Sequence, residues 1–169
     1  MRLRTVAALA VLVAGCAPHY TQPEATQPSA QLRIVSSLTG AFKAQSFVAY
    51  GDDACTQGTH DFGLLAGFNW AGDRGEDKIV RVWPERRLYV KAVAQTPGEL
   101  RTVGPRQWEQ DIDYCYVLVS FVPEQSRRYE LRQALSKTDC AAIVVEAETM
   151  RPPPTFKIHV IKESCRILK

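Results

Sequence analysis

The sequence predicts an all-β domain, an antiparallel sandwich of about seven to eight strands. Three observations predict it. From Leu32 onward the hydrophobic period is mostly two. β-Branched and aromatic residues crowd the apolar runs, with Gly, Pro and Asp between them. No amphipathic helical pattern separates the runs, which excludes the alternating α/β classes.

The first run, residues 32–36, alternates Leu32, Ile34 and Ser36 against Arg33 and Val35. Residues 46–50 form a second strand, stopped by Gly51-Asp52-Asp53. Residues 78–83 form a third, stopped by Pro84, and Trp83 in it is expected in the core. A fourth covers 87–93. The fifth, 114–121, is apolar on both faces and therefore central. Residues 128–132 alternate cleanly, so one face of that strand is wet. Residues 140–147 make a seventh and 155–161 an eighth. Between the last two, Pro152-Pro153-Pro154 cannot join a ladder and marks a stiff extended connection.

Two stretches break the pattern and are expected as long connections. Residues 56–76 hold five Gly among Phe62, Leu64, Leu65, Phe68 and Trp70. Residues 95–113 hold Trp108, and residues 107–112 have a weak tendency to a single helical turn. Connections of this length are often functional.

Five cysteines are present. Four of them, Cys55, Cys115, Cys140 and Cys165, make an even set with no C-x-x-C spacing, which disfavours zinc and redox chemistry. Three pairings into two disulfides are open. The preferred one joins Cys115 to Cys140 and Cys55 to Cys165. The first bridge closes a loop of about 25 residues and is worth roughly 3 kcal/mol.

The fifth cysteine, Cys16, belongs to a different feature. The chain begins MRLRTVAALAVLVAGC. Arg2 and Arg4 form a cationic start, and residues 6–13 are an apolar run too short to span a bilayer. The run ends in Leu12-Val13-Ala14-Gly15-Cys16, which resembles the lipobox of bacterial lipoproteins. The resemblance implies cleavage before Cys16 and a lipid on its thiol; no other stretch is apolar for eighteen residues, so no second membrane span is expected. With Ala17 rather than Asp following Cys16, the resemblance also implies an outer-membrane anchor facing the periplasm. Two or more acyl chains, at about 0.8 kcal/mol per buried CH₂, hold a protein stably at a membrane. The expected organisation is thus a signal peptide over 1–15, a lipidated Cys16 with a flexible Pro-rich spacer over 16–31, and a sandwich over 32–169. As a random coil that spacer reaches roughly 20 Å.

Lys and Arg number 21 and Asp and Glu 18. With Arg2 and Arg4 assigned to the leader, the remaining 154 residues carry 19 bases and 18 acids, a net charge of +1. No dense basic stripe points to nucleic acid.

A second resemblance lies in the interior. Ser120-Phe121-Val122-Pro123-Glu124, followed by Tyr129-Glu130-Leu131-Arg132 and Asp139-Cys140, is similar to a stretch of small envelope lipoproteins with a β-sandwich domain. It covers about 30 residues and implies fold rather than activity. An immunoglobulin-like or transthyretin-like sandwich is expected, with the Tyr129 ring in the core and its hydroxyl at the rim.

Enzyme motifs are missing from the sequence: no G-x-S-x-G, H-E-x-x-H or P-loop occurs. The expectation is a non-enzymatic chain without cofactor. His19 falls in the spacer and His159 in a strand, where a satisfied structural residue is the simpler role. Asp52, Asp53, His60 and Asp61 have the chemistry of a cation site. Turn formation explains Gly-Asp-Asp more simply, so no metal is expected. Phe68, Trp70 and Trp108 are the candidate binding residues, because flat aromatic faces on long loops suit a glycan or a protein partner. Arg86-Arg87 and Arg127-Arg128 fit solvated charges at strand edges.

The function expected from the sequence is a lipid-anchored binding or structural module of the envelope with a protein partner. Rival expectations are an inhibitor inserting a Gly-rich aromatic loop into a cleft, and a cell-wall hydrolase.

Overall fold

The computed structural model describes residues 19–37, 43–56, 63–69, 76–105, 107–135 and 140–166. Within them, nine strands form two sheets. They are β1 (Ala30–Val35), β2 (Ala44–Tyr50), β3 (Gly63–Asn69), β4 (Lys78–Val82), β5 (Leu88–Gly104), β6 (Gln107–Phe121), β7 (Arg128–Leu135), β8 (Cys140–Glu146) and β9 (Lys157–His159). One helical turn, α1 (Glu163–Arg166), follows. One sheet has the order β4-β1-β7-β8 and the other β3-β2-β5-β6-β9. The sandwich is therefore as expected, with one departure: β1 runs parallel to β7.

The two sheets meet through the alternating inner side chains. Leu32, Ile34, Val82, Leu131 and Val144 from one sheet face Phe47, Val90, Val119 and Phe121 from the other. Each large aliphatic or aromatic side chain buried there contributes about 1.5–3 kcal/mol. Tyr129 lies in this core against Phe121, at 5.0 Å between ring centroids. Its hydroxyl accepts the Glu124 N–H at 3.0 Å and so fixes the turn into β7. Burial above all pushes this phenol above its ordinary pKa.

Both disulfides match the preferred pairing. Cys115–Cys140 links β6 to β8 and thus one sheet to the other. Cys55–Cys165 ties α1 to the turn after β2. That turn is built by Asp52, whose Oδ1 accepts the N–H groups of Ala54 and Thr56 at 2.9 and 3.1 Å. The hydrogen bond from the Thr56 hydroxyl, above all, holds the Asp52 carboxyl below its usual range.

Three expectations about connections are corrected. The Gly-rich aromatic stretch contains β3, which pairs with β2 from Gly63 to Asn69. A bulge between Phe47 and Val48 shifts the register, so adjacent Leu65 and Ala66 are both buried and strict alternation is lost. Residues 95–104 and 107–113 are strand rather than connection, extending β5 to 17 residues and β6 to 15. Residues 107–112 are therefore extended, not helical.

The expected spacer is also partly folded onto the domain. His19 bridges Leu64, and the Tyr20 N–H donates to the Leu64 carbonyl. Tyr20 is buried in the core cluster. Gln22 accepts the Arg81 N–H at 2.8 Å, and the Arg81 side chain donates to the Pro23 carbonyl at 2.9 Å. Side-chain and backbone hydrogen bonds thus order a stretch whose composition alone suggests disorder.

Candidate partner-binding arm

The β5–β6 hairpin is longer than the sandwich that carries it. β2 pairs with β5 only as far as Gln95, and β9 pairs with β6 only at residues 118–120. Beyond those points the hairpin continues as a two-stranded ribbon to Gly104 and Gln107. Its own ladder keeps the ribbon extended, with bulges between Pro97 and Leu100 and between Thr102 and Gly104. Arg101 adds an ion pair to Asp111 at 2.7 Å.

Period two then sorts the side chains. Trp108, Gln110, Ile112, Tyr114 and Tyr116 share the face that continues the outer surface of the five-stranded sheet. Pro97 lies opposite Ile112 on that face, and Leu100 lies opposite Gln110. Leu100, Trp108, Ile112 and Tyr114 are 44–66 % exposed. Tyr114 and Tyr116 stack at 5.8 Å between centroids. The other face carries Glu109, Asp111 and Asp113. An exposed, largely apolar face of this kind is an ordinary mark of an interaction surface.

Of the three candidate binding residues, the structure puts only Trp108 on this arm. Phe68 is 2 % exposed and packs edge-on against Phe47, with centroids 6.2 Å apart. It belongs to the core because β3 turns it inward, which corrects its assignment as a binding residue. Trp70 lies outside the described residues, as do His60, Asp61 and Cys16. Asp53 pairs with Lys162 at 2.7 Å. Trp83, expected within a core strand, lies just beyond β4 and packs partly buried against the core, with the Arg86 guanidinium 5.1 Å above its ring.

A second constellation escaped the sequence. Ser120 Oγ lies 2.7 Å from His159 Nε2 and accepts from the Arg87 guanidinium at 2.9 Å. Arg87 also donates to the Thr155 carbonyl at 3.0 Å, and Tyr89 rests against the His159 ring at 5.3 Å. A Ser–His contact is what nucleophilic catalysis requires. Here, however, the Ser120 side chain is fully buried, and the chain's own β9 segment covers it. No substrate carbon reaches the oxygen in this arrangement. The cluster holds the C-terminal segment against β6, as does the Cys55–Cys165 bridge beside Leu118. Burial, above all, pushes the His159 pKa down, and Arg87, Lys157 and Lys162 act in the same direction against Asp53. Arg87 is thus a structural donor rather than a free edge charge. Only the register of β9 on β6, Leu118 opposite His159, brings the two residues together.

No helix in the described residues is long and apolar enough to cross a membrane. Comparison with protein-family models, with curated proteins and with solved structures finds no match to this chain.

Proposed function

We propose that this chain is a non-catalytic binding module of the bacterial envelope, anchored to the periplasmic face of the outer membrane through lipid on Cys16. Its arm docks a protein partner. The observation that carries the docking role is the exposed Leu100–Trp108–Ile112–Tyr114 face of a ribbon standing clear of the sandwich. Large aromatic and aliphatic side chains held on a rigid ladder lose little entropy on contact, which suits them as interface anchors. The lipobox-like leader supports the location. The buried Ser120 supports a role other than hydrolysis.

A photoreactive amino acid at position 108, in protein made in its native cells, tests this reading. One dominant adduct with an envelope protein is expected, with none from exposed Met150 on the turn after β8. Equal labelling from both positions, or none from 108, would overturn it.

A further inference from the structure

The two edges of the ribbon differ. Both bulges place their extra residue on β5, and Pro97 removes a backbone donor from that strand. Bulges and proline are devices that keep an edge from pairing. β6 has neither: its register runs without an extra residue from Gln107 to Phe121. Among the described residues, no strand pairs with β6 on its far side before Leu118. Every second residue of an antiparallel strand turns its N–H and C=O away from its partner. Residues 107–114 therefore offer a regular, open row of donors and acceptors.

The side chains flanking that row specify what fits. One face presents Trp108, Ile112 and Tyr114, and the other presents Glu109, Asp111 and Asp113. Arg101, paired with Asp111, neutralises one of the three acids. A second copy of the chain fits poorly. Antiparallel self-pairing about Asp111 would place each Asp111 against its copy and Asp113 against Glu109, and like charges directly opposite are destabilising.

We infer that the β6 edge, residues 107–114, receives an extended segment of a partner protein as an added strand, and that this segment alternates apolar with basic residues. Its apolar side chains lie beside Trp108, Ile112 and Tyr114, and its Lys or Arg side chains lie beside Glu109, Asp111 and Asp113. Main-chain hydrogen bonds supply the general affinity, and the two-sided side-chain code supplies the choice of partner. This rests on the docking role proposed for the arm and names the chemistry of what docks.

Amide hydrogen exchange on the full chain tests it, with a blocked peptide of four Val-Lys repeats as probe and four Val-Glu repeats as control. The Val-Lys peptide is expected to slow exchange at alternate residues across 107–114, and the Val-Glu peptide is not. Glu109→Gln with Asp113→Asn, which leaves the Arg101–Asp111 pair intact, is expected to weaken binding roughly two- to thirtyfold. Equal protection by both peptides would overturn the inference. So would protection away from β6, and so would protection by anionic vesicles or by raised protein concentration with no peptide present. An adduct from position 108 without protection by Val-Lys sinks strand addition and leaves the docking role standing. Loss of both removes the two together.

Discussion

The Gln45 side chain on β2 donates from Nε2 to Oε1 of Gln133 on β7 at 2.9 Å, across the space between the sheets. Both side chains are almost completely buried. Gln45 also donates to the Ser37 hydroxyl at 3.2 Å, and its Oε1 accepts the Ser37 N–H at 3.3 Å. Gln133 donates in turn to Cys115 Sγ at 3.3 Å. A polar thread thus runs from the end of β1 to the inter-sheet disulfide through an otherwise apolar core.

That thread predicts non-additivity. Gln133→Leu leaves the buried Gln45 Nε2 short of an acceptor, so it should cost about 1–3 kcal/mol. Gln45→Leu should cost a similar amount. The double variant with Leu at both positions should cost less than the sum, because no orphaned amide remains. Urea unfolding of the two single variants and the double variant checks this. Strict additivity would mean that the two amides act independently.

The half-buried His159 predicts a pH dependence. Burial lowers its folded pKa below the unfolded value near 6.5, so the unfolded chain binds the proton more readily. Stability should therefore fall as pH drops through 6.5 and level off once the folded histidine is also charged. His159→Gln should flatten that slope without altering the region above pH 7.5. Melting temperatures between pH 4.5 and 8 give the comparison. An unchanged slope in the variant would assign the acid sensitivity to other groups.

Gly98 sits in the bulge where β5 passes Asp111. A Cβ there would lie 3.1 Å from both Asp111 Cβ and its carbonyl oxygen. Gly98→Ala should strain the ribbon by roughly 1–3 kcal/mol, an ordinary cost of overpacking. The loss should be local, as faster amide exchange over residues 109–113, with the sandwich core protected as before. Uniformly faster exchange would instead mean that arm and core open as one unit.

Lipid on Cys16 has a direct reading by mass. Protein extracted from native cells should begin at Cys16 and carry the added mass of a diacylglyceryl group, with or without a further acyl chain. Cys16→Ser should leave the membrane fraction. Recovery of a bare N-terminal thiol in the soluble fraction would end the lipoprotein assignment.

The sandwich was legible because its inner positions follow a two-residue period: Leu32, Ile34, Phe47, Val90, Val119 and Leu131 all point inward as the alternation predicts. The disulfides were legible as an even set of four cysteines without C-x-x-C spacing, a set that leaves three pairings open. β3 was hidden because a bulge broke its alternation and its glycines have the composition of a loop. The arm was hidden by Pro97, Gly98, Gly104 and Pro105, which read as breakers, yet its signal was present. Residues 108–114 alternate Trp, Gln, Ile and Tyr against Glu, Asp and Asp without exception. The Ser120–His159 contact had no local signal at all, since it depends on which strand β9 adjoins. The order of residues 19–29 likewise depends on Arg81, far along the chain.

Cys115 stands where β6 leaves the body of the protein and becomes the free ribbon. Its covalent link to Cys140 lies at the root of the arm. Tension on the tip is therefore carried into β8 and the opposite sheet by a bond, not only by a ladder that can unzip one rung at a time. The hairpin is thereby a handle bolted to both halves of its housing.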